Sequence, residues 1–311
     1  MITTVTFNPA IDRTVCVEAL RTGAVNRVIS SRADMGGKGI NVARILLALG
    51  SQTVAAGFIG ARNLSLSSGL LARDGIVADL VRVDAETRQN IKLVENSNHQ
   101  TTDINEPGFH VSAADLAELT ASIRRHAENS DYLVLSGSVP PGVPVTIYRD
   151  IALQLPATCK VVIDADGQLL RNGLSARPYL IKPNIHELEN ALGCSLPTSA
   201  AIGNAAKDLI GKYQIHSVLV SMGENGSILA TQNTVLHAAA LKVKVRNTVG
   251  AGDTMLAGFI HSSVCGLSER DALAFATACG ALAVSQEGNE TISIDQISSL
   301  AGQVAISDLS Q

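Results

Sequence analysis

Short apolar runs alternate along the chain with segments whose apolar residues recur every three or four positions. The runs at 131–137, 160–165 and 216–221 are rich in Val, Leu and Ile, and they predict buried β-strands. A further strand is predicted at 2–7. Because helical patterns separate these strands, the chain is predicted to form a mainly parallel sheet that helices cover on both faces.

Two of the predicted helices have recognisable ends. The segment 112–128 begins with Ser112 and Asp115, which form a variant of the capping box. Its apolar face consists of Leu116, Leu119 and Ile123. The other helix follows a glycine turn at 36–39 and stops at Gly50, and its apolar face consists of Val42, Ile45, Leu46 and Leu49.

Two segments, 12–33 and 88–104, do not follow the strand–helix alternation. Polar and apolar residues alternate in both, which predicts short strands in a sheet with one open face. They could form a small antiparallel flap together, or they could be extra edge strands of the main sheet. The chain contains no repeat of fixed period and no linker, so residues 1–311 are predicted to form a single domain.

Composition and charge exclude several classes of function. Hydrophobic residues make up 46% of the chain, which is enough for a large core, whereas aromatic residues make up only 3% and Trp is absent. With a net charge of −4 and no basic block, binding to nucleic acid or to an acidic membrane is not expected. The N-terminus does not resemble a secretory signal, and no apolar stretch reaches the ~18 residues of a membrane span.

The cysteines predict neither a disulfide framework nor a zinc site. They are odd in number, widely spaced and without a C-x-x-C pair. Reduced thiols in a cytoplasmic protein are the favoured interpretation. The five residues are Cys16, Cys159, Cys194, Cys265 and Cys279.

The stretch NTVGAGDTMLAGFI at 247–260 predicts a glycine bend that opens a helix. Gly250 and Gly252 leave room for a ligand to approach the main-chain amides, and the amino end of a helix favours anions. Asp253 could cap this helix, but a cap does not require two preceding glycines. An anion site beside an acid favours phosphoryl transfer, in which the acid accepts a hydroxyl proton. A P-loop is excluded, because GGKG at 36–39 is followed by Ile40 instead of Ser or Thr.

Seven blocks together resemble the PfkB-type carbohydrate kinases of the ribokinase-like superfamily, and most closely the branch of 1-phosphofructokinase and tagatose-6-phosphate kinase. The resemblance covers residues 2 to about 290. The blocks, in chain order, are NPAID, MGGKGIN, TRQN, LSGSVPPG, IKPNIHELE, VSMGENG and NTVGAGDTM.

The resemblance implies a three-layer α/β/α core with a mainly parallel central sheet, and a small β-lid over the sugar site contributed by about 12–33 and 88–104. It also implies ATP and Mg²⁺ as cofactors, a phosphorylated ketohexose as substrate, and a homodimer formed through the lid.

The same resemblance implies the catalytic and sugar-binding residues. Asp253 corresponds to the base, which requires no unusual pKa, and the amides of Gly250, Ala251, Gly252 and Asp253 to the anion hole. The sugar is expected to contact Asp12, Gly37 and Asn41. Four further residues are expected at its phosphate, namely Lys38, Arg88, Arg27 from the lid, and Ser138, although a turn role for Ser138 stays open.

The nucleotide is expected at two other blocks. Asn184 and Glu187 correspond to a pair that acts near Mg²⁺ through water, but an N-cap role for Asn184 is open. Ser221, Gly223, Gly226 and Gly252 are expected to border ATP, and SMGENG also predicts a hairpin turn by itself. Three stretches depart from the family pattern: DADG at 164–167, which adds Asp166; GARNLSLSSGLL at 60–71; and SQEGNETIS at 285–293.

The predicted reaction is transfer of the ATP γ-phosphate to the 6-hydroxyl of fructose 1-phosphate. Tagatose 6-phosphate and fructose 6-phosphate, phosphorylated at the 1-position, are alternative substrates, because the same cations and base could serve any of these sugars. A catalytically weak sugar-phosphate-binding regulator is the alternative from another class.

Overall fold

The computed structural model describes residues 1–98, 100–246, 248–286 and 293–310. The strands in these ranges are β1 (Ile2–Thr6), β2 (Ala10–Val17), β3 (Ser30–Gly36), β4 (Thr53–Gly60), β5 (Ala78–Val83), β6 (Arg88–Glu95), β7 (Thr101–Asn105), β8 (Tyr132–Ser136), β9 (Lys160–Asp164), β10 (Leu180–Ile181), β11 (Ser217–Ser221), β12 (Ser227–Thr231), β13 (Val235–Ala238) and β14 (Ile306–Asp308).

The helices connect these strands. They are α1 (Lys38–Ala48), α2 (Leu64–Arg73), α3 (Ala113–Ala127), α4 (Ile147–Ala152), α5 (Gly167–Gly173), α6 (Ile185–Leu192), α7 (Ser199–Tyr213), α8 (Ala251–Val264), α9 (Glu269–Ser285) and α10 (Ile294–Ala301), with short 3₁₀ turns at Leu174–Ala176 and Gly223–Asn225. Within the described ranges, none of them is long and apolar enough to cross a membrane.

The large sheet has the strand order β14-β13-β12-β11-β10-β9-β8-β1-β4-β5. Neighbouring strands from β11 to β5 are parallel, and β12, β13 and β14 are added antiparallel at one end. All five residues of β1 are buried, as expected for the centre of a sheet that is covered on both faces. The prediction of a mainly parallel sheet is therefore confirmed.

Helices pack on both faces of this sheet and give the predicted α/β/α layers. On one face, Leu119 of α3 and Leu209 of α7 belong to the larger buried apolar cluster. On the other face, Leu46 of α1, Leu256 of α8 and Leu273 of α9 pack together. The ribokinase-like class predicted from the sequence is thus the observed architecture.

The predicted helix ends are also confirmed. Ser112 and Asp115 form a reciprocal capping box at the start of α3. Helix α1 follows Gly37, whose φ of 112° suits glycine, and the chain turns away at Gly50, whose φ is 79°.

The two irregular segments form a separate sheet of four strands, in the order β3-β2-β6-β7. This small sheet is the predicted flap, and its strands extend from Ala10 to Gly36 and from Arg88 to Asn105. The prediction that it is entirely antiparallel is wrong, because β2 and β6 pair in parallel. Since these two strands come from segments far apart in the chain, no hairpin turn fixes their direction.

Candidate active site

A cavity of about 1430 Å³ lies at the carboxyl ends of the parallel strands. It extends from β1 across β8, β9 and β10 to β11, which is roughly 19 Å at the ~4.8 Å spacing of strands. Pockets for one small ligand are usually ~300–1,000 Å³, so this cavity has room for two. Residues at or just beyond these strand ends line it, namely Thr6, Ser136, Ala165, Lys182 and Ser221.

The amino end of α8 faces this cavity. Gly250 precedes the helix with a φ of 80°, a conformation that suits glycine, and a Cβ there would meet no atom within 4 Å. The first N–H groups of a helix have no partner within the helix and carry its positive dipole end. Gly250, Ala251, Gly252 and Asp253 all line the cavity, so the predicted anion hole is brought together.

Asp253 is buried in the first turn of α8, and its side chain reaches a different element. Its Oδ2 accepts a 2.8 Å hydrogen bond from Nδ2 of Asn41 on α1. Burial raises the pKa of this carboxyl from 3.8 to about 6, and the nearby Asp164 adds to the rise, whereas Lys38, Asn41 and Lys182 oppose it. The sequence had led us to expect a base with an ordinary pKa, and the pKa of Asp253 is instead raised. A carboxyl with a pKa of about 6 is still mostly ionised at neutral pH.

Two lysines share one buried carboxylate next to Asp253. Nζ of Lys38 lies 3.2 Å and Nζ of Lys182 lies 3.3 Å from the same Oδ1 of Asp164. Asp164 is fully buried at the end of β9, and its Oδ2 has no hydrogen-bond partner among the described residues. Burial alone would raise the pKa of Asp164, but the two ammonium groups outweigh it and hold that pKa below its usual range. Burial would lower the pKa of Lys38, but Asp164 and the other nearby carboxylates outweigh it and raise that pKa, so Lys38 stays charged at the cavity.

At the β1 end, the cavity is lined by Asn8, Gly37, Arg88, Asn90 and Ser138. The Arg88 guanidinium donates to the backbone carbonyls of Asn8, Pro9 and Glu106. Three of its five N–H groups are therefore used, which leaves one on each terminal nitrogen. Ser138 accepts a 3.3 Å hydrogen bond from Nδ2 of Asn8, which holds it at the cavity wall.

Two predicted substrate residues are not among the residues that line the cavity. Asp12 lies in β2, and its Oδ1 accepts a 2.8 Å hydrogen bond from Asn90, which does line the cavity. Asp12 is thus placed behind Asn90 instead of on the cavity wall. Arg27 is exposed on the loop between β2 and β3, so its predicted approach to the sugar phosphate is not realised within this chain.

At the β11 end, the predicted nucleotide residues come together. Ser221 ends β11 beside Asn184, and the hairpin to β12 is formed by Gly223–Asn225, as SMGENG predicted. Gly226 has a φ of 88°, and a Cβ there would lie 1.9 Å from the Ala238 carbonyl oxygen, so only glycine fits. Asn247 of the predicted glycine block and most of the 285–293 stretch lie outside the described residues.

Asn184 and Glu187 form a capping box at the start of α6. Oδ1 of Asn184 accepts from the Glu187 amide at 2.8 Å, and Oε2 of Glu187 accepts from the Asn184 amide at 2.9 Å. The cap interpretation is realised, and both residues also line the cavity. In the described part of the chain, no three His, Cys, Asp or Glu residues cluster to enclose a metal ion.

Sequence reasoning missed Lys182 and Asp164. Lys182 lies in the matched block IKPNIHELE and Asp164 in DADG, a stretch that departs from the family pattern, and neither was given a role. A signal was available, because each is a charged residue at the end of a buried strand run, where an unpaired charge would be costly. Asp166, which the departure at 164–167 adds, lines the cavity just before α5.

Comparison with known proteins agrees with this geometry. Residues 5–296 match the pfkB family carbohydrate kinase profile. The chain is 39% identical to 1-phosphofructokinase of Vibrio cholerae serotype O1 over 99% of this chain and 97% of that protein. It is 36% identical to 1-phosphofructokinase of Rhodobacter capsulatus over 99% and 98%.

Solved structures agree as well. Phosphofructokinase-2 of Escherichia coli superimposes with a TM-score of 0.90 over 100% of this chain and 99% of that one, and at 24% identity this likeness shows the fold alone. The family match covers nearly the whole chain, and it includes the stretches that carry the predicted base, sugar and nucleotide residues. The chain therefore belongs to the pfkB family of carbohydrate kinases, phosphotransferases whose acceptor is a sugar hydroxyl.

Proposed function

We propose that this protein is an ATP-dependent 1-phosphofructokinase, which converts fructose 1-phosphate and ATP to fructose 1,6-bisphosphate and ADP. The observation that carries the proposal is the buried Asp253 carboxylate at the glycine start of α8, facing a cavity large enough for a sugar phosphate and a nucleotide. The choice of fructose 1-phosphate is supported by full-length relatives that bear the name 1-phosphofructokinase.

Asp253 acts as the base in this proposal. Its carboxylate, with a pKa of about 6, accepts the proton of the 6-hydroxyl as that oxygen bonds to phosphorus. The amides at 250–253 stabilise the charge on the transferring phosphoryl group, since fixed dipoles in a buried site act more strongly than in water. The Lys182 ammonium lies on the same side, because a Cβ on Gly252 would be 3.2 Å from its Nζ.

The β1 end of the cavity binds the sugar phosphate. The two remaining N–H groups of Arg88 form a fork that suits phosphate oxygens, and Lys38 and Ser138 contribute nearby. Gly37, Asn41 and Asn90 contact the sugar, and Asp12 orients the Asn90 amide.

The β11 end binds ATP. Gly223 and Gly226 let the hairpin main chain approach the nucleotide, with Ser221 beside them. Glu187 and Asn184 fit an Mg²⁺ ion held through water, since Mg²⁺ usually keeps several waters and binds one or two carboxylates together with substrate phosphates. The bound ion would neutralise phosphate charge during transfer. No dedicated cage of acids is required for this role.

We further propose that the small sheet serves as the lid of the single domain 1–311 and as the surface of a homodimer. Its edge strand β7 is exposed along its whole length, and the loop between β2 and β3 exposes Val25, Val28 and Ile29. An exposed strand edge and a group of exposed apolar residues are each typical sites of chain pairing. Light scattering with and without charged substitutions at these three residues tests the dimer.

The test of function is ADP release with a panel of fructose 1-phosphate, fructose 6-phosphate, tagatose 6-phosphate and fructose. We expect the highest kcat/KM with fructose 1-phosphate. Asp253→Asn should abolish turnover and leave sugar binding largely intact, whereas Asp208→Asn, on the exposed face of α7, should not change turnover. A higher kcat/KM with fructose 6-phosphate or tagatose 6-phosphate would identify that sugar as the substrate instead. Wild-type rates in Asp253→Asn would show that Asp253 is not the base. Tight binding of a phosphosugar without ADP release would identify a regulator.

A further inference from the structure

Arg44 connects three elements close to the proposed base without reaching the cavity. It lies on α1, three residues after Asn41, and it is not among the residues that line the cavity. Its Nη1 donates to Oδ1 of Asn41 at 3.0 Å and its Nε donates to Oδ2 of Asp74 at 2.9 Å. Its Nη2 donates to the backbone carbonyl of Met35 on β3 of the small sheet. The guanidinium is thus held on three sides.

This arrangement determines which end of the Asn41 amide faces Asp253. An asparagine side chain has an acceptor end and a donor end, and a guanidinium has donors only. Because Arg44 occupies Oδ1, the Nδ2 group is turned to the Asp253 carboxylate, to which it donates at 2.8 Å. With the amide reversed, Oδ1 of Asn41 would face the Asp253 carboxylate and Nδ2 would face the Arg44 guanidinium, so that acceptor would oppose acceptor and donor would oppose donor.

The anchors of Arg44 make the orientation firm. The side chains of Arg44 and Asp74 are only 15% and 13% exposed. Asp74 also accepts from Arg73, which in turn pairs with Asp34 on β3. Burial would raise the pKa of Asp74, but the two arginines outweigh it and lower that pKa, so the anchor stays charged at neutral pH.

We infer that Arg44 is a positioning residue, which acts through Asn41 to keep a hydrogen-bond donor on Asp253 and ties the small sheet to the same contact. The inference rests on the proposed function in naming Asp253 the base. It concerns a side chain outside the cavity, so its replacement changes the surroundings of the base without removing any side chain that lines the cavity.

The test measures the Asp253 carboxyl itself in the ligand-free protein. Aspartate side chains are labelled with ¹³C and titrated by NMR, and Asp253→Asn assigns the signal. Arg44→Met removes all three hydrogen bonds and keeps an unbranched side chain that is uncharged and two atoms shorter. Since hydrogen bonds to the charged form favour it, we expect Asp253 to titrate about half to one pH unit higher than in the wild type. The other charged groups around Asp253 stay in place, namely Asp164 from β9, Lys38 from α1 and Lys182 beyond β10.

Two further variants separate positioning from folding. Arg44→Lys keeps the charge beside Asp74 but not the planar fork, so we expect stability to return while the Asp253 titration stays raised. If Arg44→Met does not fold, Arg44→Lys decides the question by the same signal. Arg149→Met removes an arginine that pairs with Asp150 at 2.7 Å on α4, and it serves as the matched control.

The activity profile gives a second readout. In Arg44→Met, the acid limb of kcat/KM for fructose 1-phosphate should move to higher pH together with the carboxyl signal, and kcat should fall by a larger factor than KM rises. An Asp253 signal at the wild-type position in the Arg44 variants, or an equal shift in Arg149→Met, overturns the inference. Absence of phosphotransfer in the wild type would instead refute the proposed function, and the carboxyl signal would still report on Arg44.

Discussion

Substituting alanine for Gly250 tests whether the main chain at the start of α8 contacts the transferring phosphate. The structure offers a matched control in Gly50. The two residues have φ angles of 80° and 79°, and a Cβ on either would meet no atom within 4 Å. A left-handed conformation costs a residue with a Cβ about 1–2 kcal/mol, so the two substitutions should destabilise the fold equally.

Their effects on activity should differ, because only Gly250 lines the cavity. An added methyl group there holds the phosphoryl group away from the amides at 250–253. In other enzymes, removal of one such donor lowers the rate by about 10²–10³. Moving the phosphoryl group away from the amides should lower the rate by a smaller factor, because the donors are still present. We expect Gly250→Ala to lower kcat/KM by about tenfold or more, which corresponds to about 1.4 kcal/mol of transition-state stabilisation.

Two measurements separate the contributions. Urea unfolding should give the same midpoint for Gly250→Ala and Gly50→Ala, below that of the wild type. Steady-state ADP release from fructose 1-phosphate should fall in Gly250→Ala and stay near wild type in Gly50→Ala. If both variants kept equal activity, the amides at the start of α8 would not be the anion hole, and the reasoning from the glycine bend would be wrong.

Three more predictions concern the charges of the site. The rate kcat/KM should fall about tenfold per pH unit below about pH 6, because Asp253 must be ionised to accept a proton; a profile flat to pH 5 would contradict this. Burial raises the pKa of Asp253 from 3.8 to about 6, so proton binding by this carboxyl stabilises the folded state. That stabilisation is complete below pH 3.8 and is lost as the pH rises through 6. Asp253→Asn should therefore be more stable than the wild type at pH 8, by up to about 3 kcal/mol, with no gain at pH 3.5; thermal unfolding at both pH values measures this. Lys182→Met leaves the buried Asp164 with Lys38 alone, and it should lower the free energy of unfolding by about 3 kcal/mol. Urea unfolding measures this change, with Lys212→Met on α7 as the control. An equal change in both variants would contradict the pairing.

The sequence predicts elements whose cause is local. The runs at 131–137 and 160–165 become β8 and β9, and the Ser112 cap begins α3. In these cases the apolar period or the cap lies within a few residues of what it determines. The glycine bend at Gly250 is of the same kind, because its conformation follows from the residues next to it.

The sequence does not predict features that depend on residues far apart. The parallel pairing of β2 with β6 joins segments separated by about seventy residues, and nothing local fixes its direction. The pKa of Asp253 depends on burial and on Asp164, which is distant in the chain. Lys182 was missed for the same reason, since its partner is on a neighbouring strand. The charge pairs of the site can therefore be identified only when the order of the strands in the sheet is known.

The charged residues that line the described part of the cavity cancel one another. Four are cationic and four are acidic: Lys38, Arg88, Lys182 and Lys242 against Asp166, Glu187, Glu224 and Asp253. The chain as a whole carries a net charge of −4. A polyanionic metabolite therefore meets no attractive field at long range, and its encounter rate should not fall as the ionic strength is raised. Discrimination among phosphate esters therefore depends on short-range contacts inside the cavity.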